Sequence, residues 1–241
     1  MDRAGQSVTV QPLRLALIAA AFALLGACNV VMTKEPLFTQ TDAAGAPNLR
    51  PGVWIFFKEP DCKVDESRPF TEWPDCAGGG LVTPGNVRGH KANAPADQLE
   101  DTPFVLAPGD PRIIQLQVDV DLSVQADASA TGDATVSTSS SAAHSKPYGY
   151  GAVRPTRFDD QGRITAFTLW PILCGPPPPK DKDGNDTTPA TLKPLPGIEM
   201  KPGDAVCTTR SVAALRNAAK ASEAWAPPPR GDSHWIRDAQ R

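Results

Sequence analysis

Histidine is scarce in this chain of 241 residues, which has three, at positions 90, 144 and 234. No serine stands in a G-x-S-x-G elbow, no H-E-x-x-H pair exists, and no glycine-rich phosphate loop occurs; Gly149-Tyr150-Gly151 lacks a third glycine and lies inside a strand pattern. Acid–base catalysis needs a base placed beside a nucleophile or a bound water. His144 falls in a polar stretch and His90 in a loop-like one, which leaves His234 beside Trp235, and that reads as a surface histidine. The expectation is a protein that is not an enzyme and carries no cofactor.

Other absences narrow the class further. Lys and Arg total 24 against 27 Asp and Glu, and no stripe of basic residues appears, which argues against nucleic acid as a partner. No two cysteines stand at C-x2-4-C spacing and no histidine lies near one, so zinc is not expected. Residues 181–186, Asp-Lys-Asp-Gly-Asn-Asp, resemble the opening of an EF-hand loop. The pattern fails at Asp186, where glycine is needed, and at Leu192, where glutamate is needed, and four prolines precede it in place of a helix. No metal is expected. Arg230-Gly231-Asp232 is too short a match to carry weight. The longest apolar run, residues 15–25, is shorter than the ~20 residues that span a bilayer.

That run is nonetheless the most informative stretch. Arg3 and Arg14 make a positive start, residues 15–25 an apolar core, and Leu25-Gly26-Ala27-Cys28 closes it with small residues before a cysteine. This pattern resembles the lipobox of a bacterial lipoprotein. The resemblance covers residues 1–28 and implies that residues 1–27 are a removed signal peptide, that the Cys28 thiol receives a diacylglycerol, and that Cys28 becomes the acylated N-terminus. Two or three acyl chains hold a protein on a membrane where one exchanges, since each buried methylene contributes ~0.8 kcal/mol. By the same resemblance, Asn29 after the cysteine points to the outer membrane, with the protein facing the periplasm.

Without residues 1–27 the chain loses two basic side chains and one acidic one, leaving 22 and 26 and a net charge near −4. Four cysteines remain: Cys62, Cys76, Cys174 and Cys207. An even number in an oxidising compartment reads as two disulfides, and of the three connectivities the sequence neighbours, Cys62–Cys76 and Cys174–Cys207, are expected. The many prolines and glycines, 26 and 19, point to one small domain with long loops, for which such staples matter.

Along the chain, residues 28–50 read as a lipidated N-terminus and flexible tether, and residues 51–241 as a single β-rich domain. Residues 53–57, Val-Trp-Ile-Phe-Phe, lack polar alternation and predict a strand buried on both faces. Residues 59–100 read as loop, broken by Pro60, Pro69, Pro74, three glycines and Pro84-Gly85. Strands follow at 104–106 and 112–122; in the second, Ile114, Leu116, Val118, Val120 and Leu122 alternate with polar residues, which predicts one core face and one wet face. An insertion at 123–146 is poor in large apolar residues and is expected to be disordered. Residues 148–158 and 164–173 flank a turn at 159–162, a hairpin ended by Pro171. A Pro-rich loop occupies 176–203. Ser211 then caps a helix reaching about Trp225, and residues 234–237 add an edge strand.

The fold class so read is mainly β, a small antiparallel barrel or curved sheet of about six strands with one C-terminal helix and long disordered loops. Trp54, Tyr148, Tyr150 and Trp170 are the candidates for a ligand pocket or partner face, against a simpler reading as core aromatics. The functional expectation is a non-enzymatic envelope lipoprotein, bound to the membrane through its lipid, acting by contact with an envelope protein or cell-wall polymer. The alternative is a small-ligand-binding barrel, with an envelope enzyme inhibitor or hydrolase behind it.

Overall fold

The computed structural model describes residues 29–90, 98–118, 146–177, 193–201, 206–225 and 233–239. They form β1 (Val30–Thr33), β2 (Gly52–Lys58), β3 (Ala77–Thr83), β4 (Asn86–His90), β5 (Leu99–Ala107), β6 (Arg112–Gln117), β7 (Tyr148–Phe158), β8 (Ile164–Pro171), β9 (Val206–Cys207), one helix, α1 (Val212–Glu223), and β10 (Ser233–Arg237). Strands β2 to β8 pair antiparallel around a ring that β10 closes by bonding to both β8 and β2. The result is an eight-stranded antiparallel barrel, with β1 and β9 attached outside the ring beside β7. Closure removes the exposed strand edges that an open sheet would leave. Residues 234–237, expected at an edge, are therefore the closing strand.

Alternation along the strands sorts side chains between the barrel interior and two outer layers. Inside lie Trp54, Val82, Val87, Phe104, Leu106, Val153, Ile164 and Phe167 in one buried cluster, with Ile114, Leu116, Leu169 and Trp235 packed against it. Trp54 is 0% exposed and its ring centroid lies 5.5 Å from that of Phe167. The opposite face of β2 is covered too. Val53 and Ile55 pack under Trp73, on a lid of residues 59–76 that Cys62–Cys76 fastens. Both faces of β2 are buried, as its unbroken apolar sequence predicts.

About six strands were expected and eight make the barrel, because residues 59–100 are not all loop. Gly78-Gly79-Gly80 lies within β3, and Pro84-Gly85 is the turn into β4, with Gly85 at φ 76°. Glycine in β3 serves close approach: a Cβ on Gly79 would stand 2.5 Å from the Trp73 ring.

The stretch read as a tether is also structured. Val30–Thr33 is a strand, Phe38 and Leu49 are buried, and Arg50 N donates to Ile164 O while Ile164 N donates to Asn48 O, each at 2.9 Å. Burying a Phe or Leu side chain contributes about 1.5–3 kcal/mol, so a few apolar residues suffice to fix an otherwise polar segment. The wet face expected on β6 is covered by this segment, for Ile113 is 0% and Gln115 3% exposed.

The 159–162 turn forms as predicted, with Gly162 at φ 74° and the Asp159 carboxylate accepting from Gln161 N, Arg163 N and Arg163 Nε. Helix α1 begins at the predicted cap, Ser211, whose Oγ accepts from Ala214 N at 3.2 Å. Of the Pro-rich loop, residues 178–192 and 202–203 lie outside the described residues, whereas Ile198 is buried in the layer under α1. The insertion at 123–146 lies outside the described residues apart from Lys146.

Candidate functional site

The four candidate aromatics do not share a surface. Trp54 points into the barrel, whereas Tyr150 and Trp170 point out of it into the layer roofed by β1 and α1, with Tyr148 packed at that layer's margin. Their polar atoms are occupied by the protein. Tyr150 Oη lies 2.6 Å from Thr33 Oγ1, Trp170 Nε1 donates to Ala219 O at 3.0 Å, Trp54 Nε1 donates to Arg50 O at 2.8 Å, and Tyr148 Oη accepts from Gln117 Nε2 at 3.1 Å. Burial raises the Tyr150 phenol above its ordinary value, against the opposing hydrogen bond with Thr33, so it stays protonated at neutral pH. These are packing aromatics with satisfied polar ends.

The same outer layer holds the second disulfide. Cys174–Cys207 joins the end of the β8 chain to β9, which runs parallel to β1. Asn29 O accepts from Cys174 N at 2.9 Å, and Asn29 Nδ2 donates to Gly175 O at 3.0 Å. Both disulfides thus have the expected connectivity. Cys28 itself lies outside the described residues, next to Asn29 in the chain.

A cleft of about 340 Å³ opens between the β5–β6 turn and α1, lined by Gly109, Asp110, Pro111, Ala213, Arg216 and Lys220. Arg216 is held there by donating to Pro108 O at 2.7 Å while its guanidinium lies 5.5 Å from the Phe38 ring centre. Close by, Arg154 bonds Glu223 at 2.8 Å and approaches Asp110 at 3.7 Å. The cleft carries both signs of charge and no nucleophile paired with a base. Sequence spacing gave no sign of it, since residues 110 and 216 meet only through the fold.

The chain matches no protein-family model, no curated protein and no solved structure. The site therefore stands on its own geometry. Among the described residues no three of His, Cys, Asp and Glu converge as a metal site would need. His90 packs against Phe70, its ring centroid 6.0 Å away, and His234 lies on β10 between β2 and β8. His144, the 181–186 acidic run and Arg230-Gly231-Asp232 lie outside the described residues.

Proposed function

We propose that this protein is a lipid-anchored, non-enzymatic contact module of the cell envelope, held in the outer membrane through Cys28 and facing the periplasm. The observation that carries the reading is the occupied barrel interior. Trp54, Phe104, Phe167 and Leu106 fill it from opposite walls. An eight-stranded barrel is just wide enough either to be filled by side chains or to hold one small ligand, and the inward residues favour filling. On this reading the outer wall makes the contact, and the exposed Arg88–Asp101 pair across β4 and β5 is part of that wall. Two disulfides support the oxidising compartment.

The test is photo-crosslinking from Arg88 and Asp101 positions of the full, membrane-bound protein, followed by mass spectrometry of material purified from native membranes. A saturable crosslink to a single envelope protein or to cell-wall polymer is the expected result. Absence of any crosslink, together with a stoichiometric small apolar molecule co-purifying with the barrel, overturns it in favour of the ligand-binding alternative.

A further inference from the structure

Asn29, the first described residue, stands one residue after the proposed acylation site. Asn29 is pinned through its carbonyl to Cys174 N and through its side chain to Gly175 O. Val31 N donates to Ile172 O at 2.9 Å, Val31 is 1% exposed, and Met32 and Thr33 pair with Gly149 and Tyr148 on β7. Behind this strand Cys174–Cys207 fastens β9, whose Val206 and Cys207 pair with Val30 and Val31. The start of β1 is thus locked on two sides and by a covalent bridge.

The leash between lipid and barrel is therefore a single peptide unit, because consecutive Cα atoms stand about 3.8 Å apart. A flexible coil of twenty residues would let the body wander ~25 Å and tumble. Resting on the reading of Cys28 as acylated, we propose that the barrel sits directly on the phospholipid surface in one orientation. The corner made by Asn29, the Cys174–Cys207 bridge and the adjoining residues 175–177 and 193–194 faces the headgroups. Residue 193 belongs to this corner because its carbonyl packs directly on Gly175 and Leu195 N donates to Cys174 O at 2.8 Å, and Lys193 is exposed there.

The corner needs no apolar patch of its own, since the acyl chains supply the insertion energy and Lys193 meets the phosphates. Strand β3 lies across the ring from β7, with which β1 pairs, four strands away in either direction, and the proposed orientation puts it on the side away from the bilayer. The partner is thereby restricted to one that approaches the β3–β4 side or that lies beside the barrel on the same membrane.

The full acylated chain, reconstituted in phosphatidylethanolamine and phosphatidylglycerol vesicles with a headgroup-bound quencher, carries a fluorescent amino acid in place of Lys193 or of Thr83 on β3. Both positions are exposed, and Pro177 and Arg88 give a second such pair. The expected result is several-fold stronger quenching at 193 than at 83, with the difference collapsing when twenty Gly/Ser residues are inserted between Cys28 and Asn29. Equal quenching at the two positions in the chain of natural length, with acyl groups on Cys28 verified by mass spectrometry, overturns the fixed orientation alone. Absence of acyl groups overturns both the orientation and the anchoring on which it rests.

Discussion

Gln115 holds Phe38 through both its backbone N–H and its C=O: Gln115 Oε1 accepts from Phe38 N at 2.9 Å and Gln115 Nε2 donates to Phe38 O at 2.8 Å. The same Oε1 accepts from Leu37 N at 2.8 Å. One buried amide on β6 thereby satisfies three backbone groups of a segment that has no strand partner there, which is how residues 37–38 lie flat on the barrel. Replacing it leaves those groups buried and unmatched. Gln115→Leu is expected to destabilise by about 2–4 kcal/mol, since each orphaned group costs about 1–3 kcal/mol and part of the loss is relieved by relaxation. Denaturant unfolding measures it, and protection of the Phe38 amide from hydrogen exchange should fall with it. Unchanged stability with unchanged protection rejects the clamp.

Both faces of β6 are covered, and the one that its alternation suggests is wet is the more deeply buried. Ile113 is wholly buried under the N-terminal segment, while Leu116 is half-buried at the interior. Ile113→Ala is expected to cost about 2–5 kcal/mol and Leu116→Ala about 1–2 kcal/mol. Chemical denaturation of the two variants with disulfides intact gives the order directly; the reverse order means that the outer layer over β6 is not packed as described.

Gly79 provides the space that Trp73 occupies. With a Cβ placed 2.5 Å from the indole, Gly79→Ala forces the lid of residues 59–76 outward and is expected to destabilise by about 1–3 kcal/mol. Trp73 Nε1 donates to Asp65 O at 3.1 Å, so a red-shifted tryptophan emission should accompany the change as the indole gains water. An unshifted spectrum at full stability contradicts the contact.

The disulfides should differ in effect. Alkylation of unreduced protein is expected to modify none of Cys62, Cys76, Cys174 and Cys207. Replacing Cys62 and Cys76 by Ser should lower stability by about 3 kcal/mol and replacing Cys174 and Cys207 by about 3.5–4 kcal/mol, on the loop-entropy model. The second pair should also loosen β1, read as faster exchange at Val31. Detection of a Cys62–Cys174 peptide would refute the pairing.

Cys28→Ser is expected to leave an unprocessed precursor without label from a fatty-acid analogue, because serine has no thiol for the thioether. Normal processing and labelling of this variant rejects the anchoring reading.

The amino-acid sequence by itself determined the local parts. The β7–β8 hairpin rests on Asp159 and Gly162, helix α1 starts at the Ser211 hydroxyl, and the disulfides join sequence neighbours; in each case the deciding interaction lies within a few residues or a short loop. The both-sided burial of β2 was legible for the same reason, as a run of β-branched and aromatic residues has no polar face to offer. Tertiary structure alone decided the rest. The three glycines of β3 look like a break until Trp73 and Phe56 arrive to fill the space they leave. The segment before Leu49 is polar enough to read as a tether, and it becomes structure because Phe38 and Leu49 find burial and because Gln115, more than seventy residues away, meets its backbone. Trp54 and Trp170 look alike in sequence, yet the closed ring puts one inside and the other beneath α1. Such outcomes depend on which strand lies beside which, and that is set when β10 joins β8 to β2, a contact between residues far apart in the chain that no local pattern encodes.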